Sequence, residues 1–254
     1  MSTSPKTVAL FGATGGTGLA ALKLLLKSNL TVQILARTPS KLSSLSSQYP
    51  NLRIIQGDIR DIASIKSTLT IDNRIADVII SSIGMVIERQ GLKFTSQDPH
   101  ICEEGTKAIL TALTQLENEP SINSPEGGPE IVLLSTTGIS SRGRDIPIGM
   151  IPLYHWLLPV PHEDKKKMEE CMISGEGKGR KWVMIRPSFL NDGASKGLGK
   201  VRVSSETPGL EKKEDEKVAI GYAISREDVG LWIVEECVKG DAKRWEGKIV
   251  TLTY

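Results

Sequence analysis

Short runs of β-branched and other apolar residues alternate along this chain with longer segments in which apolar positions recur at helical spacing. The short runs predict strands over Thr7–Phe11, Thr31–Ala36, Arg53–Gln56, Asp77–Ser81, Glu130–Ser135, Trp182–Arg186 and Lys248–Thr253. Between them the helical pattern predicts helices over Thr17–Lys27, Pro39–Ser47, Ala63–Leu69, Pro99–Leu116, Glu163–Ile173 and Arg226–Val238. Asp98 before Pro99 reads as a cap with proline at the first helical position, and Ser225 with Asp228 as a variant capping box. Near-continuous apolar runs such as Ile131–Leu134 mark strands buried on both faces. The expectation is an α/β fold, a mostly parallel sheet of about seven strands flanked by helices.

The 254 residues, 39% hydrophobic with 24 glycines, suffice for one sizeable core, so a single domain is expected. The proline-rich stretch 140–162 is long for a loop inside a compact domain, and long loops of that kind are often lids or binding loops. Glu119–Pro129 and the charge run Glu211–Lys217 read as solvated connections. A net charge of +2 and 4% aromatic residues offer neither a field for a polyanion nor surfaces for stacking bases, so no nucleic-acid partner is expected. Cys102, Cys171 and Cys237 are too widely spaced for a redox pair and read as reduced and mostly buried. The polar start Met1–Lys6 carries no secretory pattern, and the greasiest stretch is broken by Pro147, Pro152 and Pro159. A cytoplasmic protein, monomeric or homodimeric and without a membrane partner, is the expectation.

The first strand runs through Gly12-Ala13-Thr14-Gly15-Gly16-Thr17-Gly18 into an amphipathic helix, the strand-turn-helix context that a dinucleotide site requires. Gly12 permits the tight turn, Gly15 lets backbone approach a pyrophosphate, and Gly18 brings helix and sheet close. The free N–H groups at the helix start, with the helix dipole, favour the negative phosphates. The second strand ends Ala36-Arg37, without the carboxylate that would meet a ribose 2′-hydroxyl. Arg37 and Lys41 suit a 2′-phosphate instead, which favours NADP(H) over NAD(H); the alternative is two solvent-facing charges at a helix start. After the third strand come Asp58 and Ile59, Asp58 being either an acceptor for the adenine amino group or a helix-start residue. After the fourth come Ser82, Ile83 and Gly84, a further cofactor-lining loop.

Taken together, Gly12–Gly18, Ala36–Lys41, Gln56-Gly57-Asp58, Trp182–Pro187 and Ile224–Val229 resemble the atypical short-chain dehydrogenase/reductase superfamily, in its NmrA-like, biliverdin-reductase-B-like branch. The resemblance covers nearly the whole chain. It implies a doubly wound (Rossmann) sheet, an NADP(H) site along the strand C-termini and a small substrate-closing region from the substrate-side loops 140–162 and 187–224, in a family holding reductases, epimerases, redox-neutral enzymes and non-catalytic sensors. The wider superfamily carries Tyr-x-x-x-Lys, and none of the tyrosines here has a lysine four residues on.

The atypical branch often keeps a lysine with a glutamate four residues later in that region. Lys165 with Glu169 fits, and Lys165 becomes the candidate for ribose contact, the alternatives being Lys166 or no cofactor role for any of the three consecutive lysines. Tyr154, in the loop before that helix, is either a proton donor or a packed aromatic. Ser135 and Thr136, at the end of the fifth strand, stand where a hydroxyl meets the nicotinamide or a substrate carbonyl. Pro187 and Ser188 correspond to a family segment that passes beside the nicotinamide, with the alternative that the Ser188 hydroxyl closes a local turn. There is no Gly-x-Ser-x-Gly elbow for a hydrolase, and His100, His155 and His162 show no paired ligand spacing, so no metal is expected.

Ile148, Met150, Ile151, Leu153, Trp156, Leu157 and Leu158 read as an apolar pocket wall or lid, or equally as core or a dimer face. The expected function is an NADP(H)-dependent oxidoreductase, a reductase of a small, largely apolar organic substrate. A non-catalytic NADP(H) sensor and a redox-neutral isomerase or cyclase of specialised metabolism stay open beside it.

Overall fold

Eight strands form the main sheet: β1 Thr7–Phe11, β2 Thr31–Ala36, β3 Leu52–Gln56, β4 Val78–Ser81, β5 Glu130–Leu134, β6 Trp182–Pro187, β7 Arg202–Glu206 and β8 Lys248–Thr253. Across the sheet they lie in the order β7, β8, β6, β5, β4, β1, β2, β3, parallel throughout except where β7 meets β8. The computed structural model describes residues 6–28, 30–86, 88–90, 93–96, 98–210 and 218–254; the charge run 211–217 lies outside them.

The helices are α1 Gly16–Lys27, α2 Ser43–Gln48 behind a 3-10 turn at Pro39–Leu42, α3 Ile62–Leu69, α4 Ile101–Glu117, α5 Ile151–Leu157, α6 Pro159–Ile173 and α7 Arg226–Trp232, which continues as a π-helical segment, Ile233–Lys239. Strand alternation divides the core between the two sheet faces. Val8 and Leu10 of β1 join the cluster under α1 and α7, whereas Ala9 and Phe11 join the one under α3, α4 and α6. Since strand order reverses between β1 and β4, a crevice opens beyond their C-terminal ends.

Four expectations change. The sheet gains an eighth strand, because β7 inside the stretch read as loop pairs antiparallel with β8, Val203 opposite Leu252. A second short pairing, Phe189–Asn191 with Ala223–Ser225, ties the ends of the same stretch together. The 140–162 segment is not mainly irregular, since it contains α5 and the start of α6. Nor is Asp98 a cap. α4 starts at Ile101, and Asp98 instead receives a hydrogen bond from Arg60 Nη1 at 2.9 Å. The cap comes from another helix: Asp164 of α6 accepts from the backbone N–H of Cys102 and of Glu103, each at 2.9 Å. These are the second and third residues of α4, the two donors a local cap would satisfy.

At α7 the local cap forms as read, Ser225 Oγ accepting from Asp228 N at 3.0 Å. All three cysteines are buried and free. Among the described residues, no helix is long and apolar enough to cross a membrane.

Candidate functional site

A cleft of about 900 Å³ runs along the C-terminal ends of the parallel strands. Its floor is the turn after β1. Gly12, at φ +80°, leaves no room for a side chain, since a Cβ there would fall 2.6 Å from the Ser82 carbonyl oxygen. A Cβ on Gly18 would meet the Gly12 carbonyl oxygen at 2.2 Å, so this glycine brings α1 against the turn and does not line the cleft. Gly15 is different: its backbone is extended, and nothing lies within 4 Å of a Cβ placed on it.

The start of α1 has no side-chain cap and no acidic residue in its first turn, which leaves its N–H groups for an outside acceptor. Thr17 is 3% exposed, and its hydroxyl has no hydrogen-bond partner among the described residues. Open space at Gly15, unused amides and an unpartnered buried hydroxyl together fit the diphosphate of a dinucleotide.

The remaining walls come from successive strand ends. Arg37 and Lys41 border the cleft after β2, both exposed and, among the described residues, without an ion pair. Asp58 and Ile59 follow β3. Asp58 Oδ1 accepts the Arg60 N–H at 3.0 Å, closing its own turn, and the residue that caps α3 is Asp61. Thr14, Gly16, Ser82, Ile83 and Gly84 also line the cleft.

Lys165, Tyr154, Ser135, Thr136, Pro187 and Ser188 gather at the other end of the same cleft. The Lys165 ammonium donates to the carbonyl oxygens of Ile83 at 2.7 Å and Leu134 at 2.5 Å, bridging the ends of β4 and β5. It does not pair with Glu169, one turn on. Glu169 accepts from Ser135 Oγ at 2.5 Å and takes both Nε and Nη2 of Arg186, at 2.9 and 2.6 Å. Arg186 reaches Glu206 of β7 as well, at 2.8 Å. Burial opposes the charge on Arg186, but the hydrogen bond to Glu169 and the surrounding carboxylates push its pKa up.

The Ser188 hydroxyl donates to Thr253 Oγ1 at 2.8 Å, so its bond goes to the last strand. Tyr154 is 4% exposed, its hydroxyl 3.4 Å from Thr137 Oγ1 and its ring 5.4 Å from that of His162. Gly138, at φ +91°, makes this fit possible, since a Cβ there would lie 2.7 Å from both rings. Burial raises the Tyr154 pKa, and Asp145 adds to the rise, so the phenol holds its proton at neutral pH.

The apolar wall differs from the one expected. Of the residues from Ile148 to Leu158 read as a lid, Leu158 lines the cleft, Ile148 and Trp156 are exposed, and the side chain of Leu157 lies outside the described residues. Met85, Val86, Ile101, Phe189 and Leu190 complete the wall. Arg226, His162 and Asp192 also border the cleft, and none was singled out as a cofactor contact from sequence. The signal for Arg226 was its place directly after the Ser225 cap, at the start of a helix packed on α1.

Fold and cleft define a Rossmann dinucleotide-binding protein. A family model described as NAD(P)H-binding matches residues 12–239, and the chain belongs to that family. The chain is 40% identical to "Reductase pytE" of Aspergillus terreus, covering 100% of both chains. It is 34% identical to "Oxidase pynE" of Aspergillus niger over 98% of this chain and 99% of that one. Both of these relatives are oxidoreductases by name. In architecture the chain is similar to a short-chain dehydrogenase/reductase (wide type) from Veillonella parvula in complex with NADP, with a TM-score of 0.69 at 12% identity, covering 99% of this chain and 95% of that chain. It is likewise similar to ChuY, an anaerobilin reductase from Escherichia coli O157:H7, with a TM-score of 0.64 at 18% identity over 97% and 96% of the two chains.

Proposed function

We propose that this protein is an NADP(H)-dependent reductase of a small, largely apolar organic substrate. One observation carries the cofactor preference: the loop after β2 presents Arg37 and Lys41 to the cleft, both unpaired among the described residues, where an NAD-preferring site would present a carboxylate. Thr14 to Thr17 cradle the diphosphate, and Ile59 with Ser82 to Gly84 flank the nucleotide. Lys165 lines the cleft with two of its donors on Ile83 and Leu134 and the third toward Met168 Sδ at 3.8 Å, a weak acceptor that the nicotinamide ribose replaces. NADP(H), when bound, supplies the hydride.

The chain's own part in the reaction is a proton and a dry wall. Tyr154 is the proton donor: it lines the cleft, is fixed by Gly138 and His162, and remains protonated at neutral pH. Ser135 holds Glu169 in line with Arg186 and lines the cleft beside Tyr154 and Lys165. Met85, Val86, Leu158, Phe189 and Leu190 exclude water and favour an apolar ligand.

The purified chain is titrated with NADPH and NADH, then assayed for NADPH oxidation with quinones, enones and flavins. Arg37→Ala is expected to weaken NADPH about tenfold or more while leaving NADH nearly unchanged, the worth of a charge-assisted contact. Tyr154→Phe keeps the ring packing and should slow turnover about a hundredfold with unchanged nucleotide affinity. Equal affinity for both nucleotides in wild type and Arg37→Ala would remove the NADP(H) preference. Tight binding without turnover on any acceptor would favour a nucleotide sensor.

A further inference from the structure

α7 crosses α1 at Gly230, where a Cβ would fall 2.8 Å from the Ala21 backbone nitrogen and 3.0 Å from Ala20 Cβ. Arg226 stands four residues earlier, on the same face of α7. The contact that seats Gly230 on α1 therefore also fixes where Arg226 emerges, which is over the first residue of α1. A Cβ on Gly16 would lie 3.6 Å from both Cδ and Nε of Arg226.

The guanidinium borders the cleft and binds Asp192 Oδ1 at 2.8 Å, a pair in which the arginine side chain is 31% exposed and the aspartate 89%. The segment bearing Asp192 is itself tied to α7. Asp228 accepts from Lys196 N at 2.7 Å and Gly197 N at 3.1 Å, and Glu227 from Ser195 N at 2.9 Å. Opposite lie the uncapped amides of α1 and the unpartnered, buried Thr17 hydroxyl.

An aspartate this exposed holds an arginine only weakly, because solvent screens the pair and both side chains lose freedom. A diphosphate between the α1 amides and the guanidinium is the stronger partner, since it presents oxygens to the planar fork in a less solvated place. We infer that Arg226 closes over the nucleotide diphosphate from the side facing the glycine-rich turn. Asp192 holds the guanidinium ready in the free protein and competes with the nucleotide for it. This inference rests on the cleft holding a pyridine dinucleotide and is indifferent to the 2′-phosphate, because both nucleotides carry the same diphosphate.

The test titrates wild type, Arg226→Gln and Asp192→Asn with NADPH and with NADH, alongside melting temperatures without nucleotide. Arg226→Gln should weaken both nucleotides by the same factor, about tenfold, the loss of one charge-assisted contact. Asp192→Asn should tighten both by about two- to fivefold, the size of an exposed ion pair released. A pair that only braces α7 predicts instead that both variants weaken binding together and melt early together, and that result overturns the inference. So does unchanged affinity in Arg226→Gln. Arg37→Ala separates the two readings, because it acts on NADPH alone: its failure removes the 2′-phosphate assignment and leaves Arg226 standing. A wild-type chain that binds neither nucleotide ends both.

Discussion

Lys165 and Glu169 sit one turn apart on α6, yet their charges serve different elements. The ammonium bridges the Ile83 and Leu134 carbonyls, and the carboxylate receives Arg186 and Ser135. The helix thus fastens three strand ends under one end of the cleft. Replacing Lys165 by Met keeps most of the stem's packing and removes the ammonium, taking a charged donor from the Leu134 carbonyl and leaving the Ile83 carbonyl only the Cys102 thiol, at 3.6 Å. Urea unfolding should show a loss of about 2 kcal/mol, and NADPH affinity should fall as well. Wild-type stability and affinity in Lys165→Met would mean that the strand ends need no bridge.

How much of this was legible beforehand depends on how local each interaction is. The turn Gly12–Gly18 and the buried parallel strands are written in consecutive residues, and so is the Ser225 cap three residues before its donor. The spacing of Lys165 and Glu169 places both on one helix face, but it says which residues are neighbours, not what faces them from the sheet. Asp164 caps α4 from 62 residues away, so no window around Asp98 contains the true cap. β7 has one apolar residue, Val203, and its strand character comes from pairing with β8 at the sheet edge. The hairpin Thr70–Ile75 was missed differently, since Asp72 and Asn73, both at positive φ, are themselves a two-residue turn signal.

The bidentate pair between Glu169 and Arg186 has side chains only 5% exposed on each side. Removing Glu169 takes the bidentate partner from a buried guanidinium and leaves it Glu206 alone. Glu169→Leu should cost about 3 kcal/mol in chemical unfolding, more than Glu169→Gln, which still accepts hydrogen bonds from Arg186 and Ser135. Adding Arg186→Leu to Glu169→Leu should recover part of the loss, reduced by what Glu206 loses when its arginine goes. If the double variant is less stable than Glu169→Leu by the full cost of a second independent lesion, the two charges are not coupled.

Gly15 and Gly18 separate binding from folding within one turn. Gly18→Ala would push a Cβ against the Gly12 carbonyl oxygen, a backbone atom that cannot step aside, and should cost about 2 kcal/mol or more of stability. Gly15→Ala meets nothing in the free protein, and its extended backbone suits any residue. Its melting temperature should match wild type while affinity for both nucleotides drops, because the added methyl occupies the diphosphate's place. A Gly15→Ala variant that binds normally would show that the phosphates lie elsewhere.

Glu130 opens β5 at the end of the sheet away from the cleft, with one carboxyl oxygen buried and unpartnered among the described residues. Burial, and then Glu246, raise its pKa from 4.5 to about 7, against the pull of Lys181 and Lys6. The folded protein consequently holds a proton that the unfolded chain releases near pH 4.5. Stability from this group is full below pH 4.5 and is lost as the pH rises through about 7. Partial exposure screens the charged form, so the loss at this site is about 1 kcal/mol rather than the full value of the shift. Glu130→Gln removes the titration. Urea unfolding at pH 5 and pH 8 should show the variant gaining about 1 kcal/mol on wild type at the higher pH and little at the lower. Nucleotide affinity should not change, since the residue is at the far end of the sheet. An identical pH slope in variant and wild type would assign the dependence to another group.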